Sequence, residues 1–333
     1  MLKKMFALMS VLYVLAGIFC CSACAAEYPK LHFILANSNP AGETNQMHKA
    51  CVLFCQKVSD KTNGNVIVEE IPGAQLGNER DYLEGVKMGT IDLCLISNSM
   101  MTNYNGANIV GELPFIYKDA ETAYKYLDSD LWRKMLDEKI TPKLQIVSLG
   151  WYSGGFRNIL NTKHPVVKAN DLVGLKIRGQ ENRIVVAMYK ALGANCTPMP
   201  VSEVVTAVQQ GTVDGADFPL GTLVTYGYPQ FVKNLALTNH LFYSFSICCS
   251  TRVWNKLSPE VKAVFREAAK EAEIEQRKWV ANLEAKLLAD VKKQMNVTTV
   301  DRESFVAKMD IVYEQFRKEI GENFWNESQK ILK

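Results

Sequence analysis

The sequence lacks the short motifs on which most enzyme chemistry rests. There is no G-x-S-x-G elbow: Gly150-Trp-Tyr-Ser-Gly154 carries its serine at the wrong spacing. There is no phosphate-cradling G-x-x-x-x-G-K-S/T loop and no G-x-G-x-x-G. The four histidines, His32, His48, His164 and His240, are scattered and form no H-E-x-x-H or His/Cys cluster of zinc spacing. Nor does one charge dominate: 38 Lys+Arg stand against 35 Asp+Glu, a formal +3. That balance implies no basic face, so nucleic acid is excluded as an expected partner. Internal repeats and Pro/Gly/Ser-rich linkers are missing. Beyond residue 26 no run is long and apolar enough to cross a bilayer.

What is present is a globular chain of 333 residues, 48% hydrophobic and 22% charged, long enough for about two domains. Lys3-Lys4 lead into the apolar stretch Met5–Ala26, which ends in the small residues Ala23, Ala25 and Ala26. This layout predicts a secretory signal peptide over residues 1–26 and a periplasmic product. Two other readings stay open. Met5–Ala26 is long enough for an uncleaved anchor, and Cys24 could accept a lipid. Without Lys3 and Lys4 the net charge falls to about +1.

Of the nine cysteines, Cys20, Cys21 and Cys24 belong to that segment. Cys51, Cys55, Cys94, Cys196, Cys248 and Cys249 remain and are read as buried thiols acting as small hydrophobes. A disulfide pairing cannot be read from one sequence.

The rest alternates strand and helix patterns. Strands are expected at Leu31–Ala36, Val66–Ile71 and Ile91–Ser97, with helices at Gly42–Lys61 and Asn78–Met88 between them. That order predicts a parallel, helix-covered sheet. A second set follows: helix Ala120–Lys139, strand Leu144–Trp151, helices Gln180–Leu192 and Ser202–Gln210, strands Val213–Phe218 and Leu241–Ser250. Ser258-Pro259 starts the longest helix, running to about Lys293. At ~50 Å it exceeds one small domain and is expected to touch two. Strand Val297–Val300 and a final helix Arg302–Ile331 close the chain.

Asp171-Leu-Val-Gly-Leu-Lys-Ile-Arg178 sets an arginine at a strand end, and Gly193-Ala194, Pro198, Pro200, Glu203-Val204, Ala207, Gln209, Gly211 and Val213-Asp-Gly215 follow in order. Gly73-Ala-Gln-Leu-Gly77, Gly89-Thr-Ile-Asp92, Leu113-Pro-Phe115 and Thr238-Asn-His240 add further matches. This series resembles the DctP-type solute-binding proteins of TRAP transporters along essentially the whole chain after the signal.

The resemblance implies an α/β periplasmic-binding-protein fold of two domains, with hinge strands and a long helix spanning both. The expected division is 27–153 plus about 243–280, and 154–242 plus about 281–333. It also implies no cofactor, no metal and no catalysis. The expected function is capture of a small organic anion, a carboxylate or a sulfonate, and its delivery to TRAP membrane permease subunits. A sensing role beside a signalling receptor, or an enzyme acting on an organic acid, are the rival classes.

In the family the strand-end arginine holds the ligand carboxylate, which maps to Arg178. A guanidinium suits that task because its planar fork matches a carboxylate and stays charged when desolvated. Arg157 is the expected assistant. Where many members read D-G-Q-E-N-P, this chain has Asp214-Gly-Ala-Asp217-Phe218-Pro219, so an aromatic wall replaces an amide. Ser97, where the sialic-acid branch tends to carry glutamate, argues against sialic acid. Ser97, Asn98 and Asn37 are candidates because α/β sheets bind ligands beyond strand carboxyl ends. Glu181 is a candidate acceptor for ligand hydroxyls.

Overall fold

The computed structural model describes residues 28–333, so the predicted signal peptide lies outside the described residues. Nine strands form one mixed sheet: β1 (Leu31–Ala36), β2 (Val66–Ile71), β3 (Leu93–Ser97), β4 (Ile146–Asn161), β5 (Lys176–Gly179), β6 (Asn195–Pro198), β7 (Gly215–Phe218), β8 (Asn234–Ser250) and β9 (Asn296–Thr299). Their order is β2-β1-β3-β8-β4-β7-β5-β6, with β9 beside β8. β1 runs parallel to β2 and β3, as the alternating pattern predicts, and β5 runs parallel to β6 and β7.

β4 and β8, 16 and 17 residues long, are antiparallel partners that join these two parallel groups. The sequence reading made both about half that length. β4 carries an extra residue at Ser148/Gly150 and at Ser153/Gly155, where Gly155 sits at φ 82°, whereas the shift opposite Arg157/Ile159 falls on β8, between Ala236 and Leu241. β8 holds Asn239 in a left-handed conformation, φ 43°. Each bulge adds a residue and breaks the period-2 pattern by which a strand is recognised.

Helix boundaries follow local caps. Asn45 Oδ1 accepts from the amides of Met47 and His48 (both 3.0 Å) and starts helix Gln46–Lys61. Asn182 does the same for helix Arg183–Ala191, later than the expected start at Gln180. The expected helix Ala120–Lys139 is broken after Leu127, because Ser129 caps a new helix, Asp130–Met135. The expected closing helix is three shorter ones, Arg302–Val306, Asp310–Ile320 and Glu322–Leu332, the last two separated by Gly321 at φ 87°.

The long helix runs Pro259–Val291, 33 residues. Its first half buries Val261, Phe265, Ala268 and Ala272 with Phe33, Phe54 and Phe245 from the β1–β3 side. Its last turns bury Leu287 and Val291 with Leu160, Phe218 and Tyr228 from the β5–β7 side. A third apolar cluster, from Ala36 and Tyr82 to Ile184 and Phe305, touches both sides. Between the helix's two apolar ends lies a polar turn. Gln276 accepts from the Ser153 amide (3.1 Å) and donates to the Ser153 carbonyl (2.7 Å), while Glu273 accepts from the Trp151 amide (3.1 Å). These side chains take up β4 backbone groups that no second strand pairs, since β7 reaches only Asn158–Asn161.

The six cysteines among the described residues are free thiols; four are buried as read from the sequence, while Cys55 and Cys196 are half-buried. Burial pushes the Cys55, Cys196 and Cys248 thiols up to about 12.

Candidate functional site

A cleft of about 590 Å³, open mouth included, lies between the two parallel strand groups. Hydrogen bonds join its two sides. Thr44 pairs with Thr225 (2.9 Å), Ser202 donates to Asn78 (3.0 Å), and Asn103 donates to the Glu181 carbonyl (2.8 Å). Asn182 Nδ2 donates to the Ser99 carbonyl and the Thr102 hydroxyl (both 2.6 Å). The described conformation is therefore a closed one.

Arg178, on β5, lines the cleft and is only 3% exposed. Its Nε and Nη2 donate to the Met199 carbonyl (3.0 and 2.7 Å). Among the described residues it forms no ion pair. Two of five N–H groups are thus used, and the three remaining are free for a planar acceptor. Burial pushes its pKa below the usual arginine value, and the Arg157 charge adds to this. A buried cation without a counter-ion is costly, and an incoming anion relieves that cost.

Arg157, on β4, also lines the cleft but is already paired. Its Nε and Nη2 grip both Asp217 carboxylate oxygens (2.7 and 3.0 Å), and Nη2 reaches the Asp217 carbonyl too. His240 Nε2 sits 3.0 Å from Asp217 Oδ2, and Thr238 Oγ1 lies 2.8 Å from His240 Nδ1. With its proton on Nε2, His240 donates to Asp217 and accepts from Thr238. Though burial acts in the opposite sense, the Arg157 and His240 contacts hold the Asp217 carboxyl well below the usual range. The Phe218 ring lies beside both arginines, with Arg157 Cζ 5.6 Å and Arg178 Cζ 5.5 Å from its centroid.

The cleft brings Arg178, Arg157, Phe218 and Glu181 together. It does not bring in Asp217, Ser97, Asn98 or Asn37. Asp217 is fully buried behind Arg157, with its acceptors occupied. Ser97 donates its amide and hydroxyl to Glu79 (2.8 and 2.7 Å). Asn98 faces Glu112 and Asn108, and Asn37 bonds Glu70 (2.8 Å). From the same loops Ser38, Asn39 and Ser99 line the cleft instead.

Glu79, in the first turn of helix Glu79–Met88, was missed, as were Gln180 and Tyr243. A glutamate in a first turn reads as an ordinary dipole-matched surface residue. Here it is half-buried, and burial pushes its carboxyl up to about 7. Glu112, buried behind Ser99, is pushed up to about 7 by the same cause.

The family model for bacterial extracellular solute-binding protein, family 7 (DctP), matches residues 37–319. The chain belongs to this family. A solute-binding protein of Verminephrobacter eiseniae is 33% identical over 270 residues, 80% of each chain. A crystal structure of a TRAP periplasmic solute-binding protein from Polaromonas, bound to D-erythronate, superposes with a TM-score of 0.85 at 32% identity. The match covers 91% of this chain and 98% of that one. The sugar-acid-binding protein of Advenella mimigardefordensis, in complex with galactonate, gives 0.86 at 27% identity with the same coverage. DctP-family proteins of this kind are two-domain periplasmic receptors and not enzymes, which agrees with the missing catalytic motifs. No helix among the described residues is long and apolar enough to cross a membrane.

Proposed function

We propose that this DctP-family protein captures a small organic acid in the cleft, holds its carboxylate on Arg178 and hands it to a TRAP permease. The observation that carries the reading is the Arg178 guanidinium: buried, without a counter-ion and aimed into the cleft. The acids bound by the structural relatives, erythronate and galactonate, support the same ligand class. Arg157 presents its remaining N–H groups beside Arg178, and Phe218 supplies a flat wall under both. Binding works through closure. The bonds between the two sides form only when the lips meet, so a ligand that touches both sides favours the closed state by its differential affinity. We place the hinge at the Ser153–Gly155 bulge, which divides the chain as 27–153 plus about 243–280 and 154–242 plus about 281–333.

The test is a thermal-shift screen of protein unfolded and refolded to strip any carried ligand, against a panel of organic anions. A ligand that binds only the folded state at a hundred times its Kd adds ~2.7 kcal/mol of stability. A saturable rise with one acid class supports the reading. Stripped protein that responds to no carboxylate or sulfonate refutes it.

A further inference from the structure

The cleft holds four charged side chains, Arg157 and Arg178 against Glu79 and Glu181. They cancel in pairs, and Asp217 behind Arg157 moves the local balance to the negative side. One carboxylate finds a partner in Arg178. A second finds no free cation anywhere in the lining. Hydroxyl groups fare differently, because acceptors are plentiful. Each Glu79 oxygen takes one bond from Ser97, from its amide and from its hydroxyl, and keeps a further lone pair. Asn39, Asn78 and Gln180 add amide groups.

We propose that the cleft selects acids with a single carboxylate and several hydroxyls, and that Glu79 is the residue that turns a second carboxylate away. This deepens the proposed function and rests on it. The mechanism is like-charge exclusion beside a hydroxyl acceptor, so one side chain supplies both the attractive and the repulsive element. Glu79 is hydrogen-bonded by Ser97, and the titratable groups within its electrostatic reach are Arg178 on β5, Glu181 just after it, Tyr243 on β8, Cys94 on β3 and Tyr82 on its own helix. Only Arg178 is a cation, and it is the group the ligand's first carboxylate occupies.

Exclusion by Glu79 operates only while it is ionised. Burial pushes its carboxyl up to about 7. Lowering the pH from 8 to 6 therefore carries it from the mostly ionised to the mostly protonated form. Over that range the hydroxy acids themselves stay fully ionised.

The experiment is calorimetric titration of the purified protein with skeleton-matched pairs: erythronate against tartrate, gluconate against glucarate, galacturonate against galactarate. At pH 8 the expected result is a monocarboxylate whose Kd is at least tenfold below that of its dicarboxylate twin. The gap narrows up to about tenfold at pH 6, and in Glu79→Gln it is small and independent of pH. The pH series on the unaltered protein tests the idea even if the variant folds poorly. A twin that binds equally well or better at pH 8 overturns this proposal and leaves the receptor reading standing. So does a gap that neither pH nor Glu79→Gln changes. Binding by no acid of either set, on protein stripped as above, overturns this proposal, and the receptor reading falls with it only when the wider carboxylate and sulfonate panel also gives no response.

Discussion

Replacing Arg178 with methionine separates a ligand-holding arginine from a structural one. Methionine keeps the apolar stem against Phe218 and removes the charge. Two hydrogen bonds to the Met199 carbonyl are lost, each worth about 1 kcal/mol net, and one buried acceptor is left unpaired. Against this, a guanidinium enclosed at 3% exposure without a counter-ion no longer has to be desolvated, an effect of several kcal/mol in the opposite sense. The two effects are of similar size, so the ligand-free variant should melt within about 4 °C of the parent. Binding behaves differently. A ligand carboxylate left without its charged donors costs about 3–5 kcal/mol, roughly a hundred- to several-thousand-fold in Kd. The assay is a pair of melts on stripped protein, with and without saturating ligand. A stable variant that has lost the ligand shift is expected. A ligand-free variant that melts 10 °C lower, or one that keeps its affinity, would refute the reasoning.

The second arginine predicts the reverse. Arg157→Met leaves the fully buried Asp217 facing only His240, and the protein should lose about 3–5 kcal/mol or fail to fold, read by urea melts. The ligand-free protein should also be more stable near pH 5 than near pH 8. Burial raises Glu79, Glu112 and Glu284 to about 7, so between the ordinary carboxylate range and pH 7 the folded state holds more protons than the unfolded chain. Stability then falls as pH rises through that window and levels above it. Glu112→Gln should flatten the slope, and a rising profile would contradict the assignment. Asp217 is shifted the other way, so its contribution is lost only in strong acid. Finally, Gly155→Ala should cost more than Gly174→Ala. Both glycines have φ near 80°, but a Cβ at Gly155 would land on the Glu284 carboxylate, whereas Gly174 has open space. Melting temperatures of the two variants compare the steric effect at equal backbone strain.

The residues that were legible in the sequence are those whose role is set by local chemistry. Arg178 lies at a strand end inside a long motif, and the β1–β3 pattern is regular. Asn37, Ser97 and Asn98 fell in the right loops and on the wrong side, because the direction of a side chain after a strand depends on the turn that follows. Ser97 accepts the Met100 amide (3.2 Å) as the cap of a one-turn helix and so turns inward. Glu79 carried no signal, since only the approach of Arg178 and Glu181 across the cleft makes it a site residue. The lengths of β4 and β8 were hidden by their bulges. His240 falls within the Thr238-Asn-His240 match, but its partner Asp217 lies on another strand and is not legible from that run.

The six thiols set a condition on how this protein is made. Receptors of this family are periplasmic, and a compartment in which cysteines are oxidised gives six thiols the opportunity to cross-link. In the folded protein Cys51, Cys94, Cys248 and Cys249 are protected by enclosure, since the thiolate is the reactive form and burial suppresses it. Cys94 and Cys248 even stand opposite each other in the β3–β8 register. Protection therefore arrives only with the fold, and the chain is in a race. Collapse of the sheet has to outrun the oxidising enzymes, and a variant that folds slowly would be expected to accumulate as disulfide-trapped species before it loses any equilibrium stability.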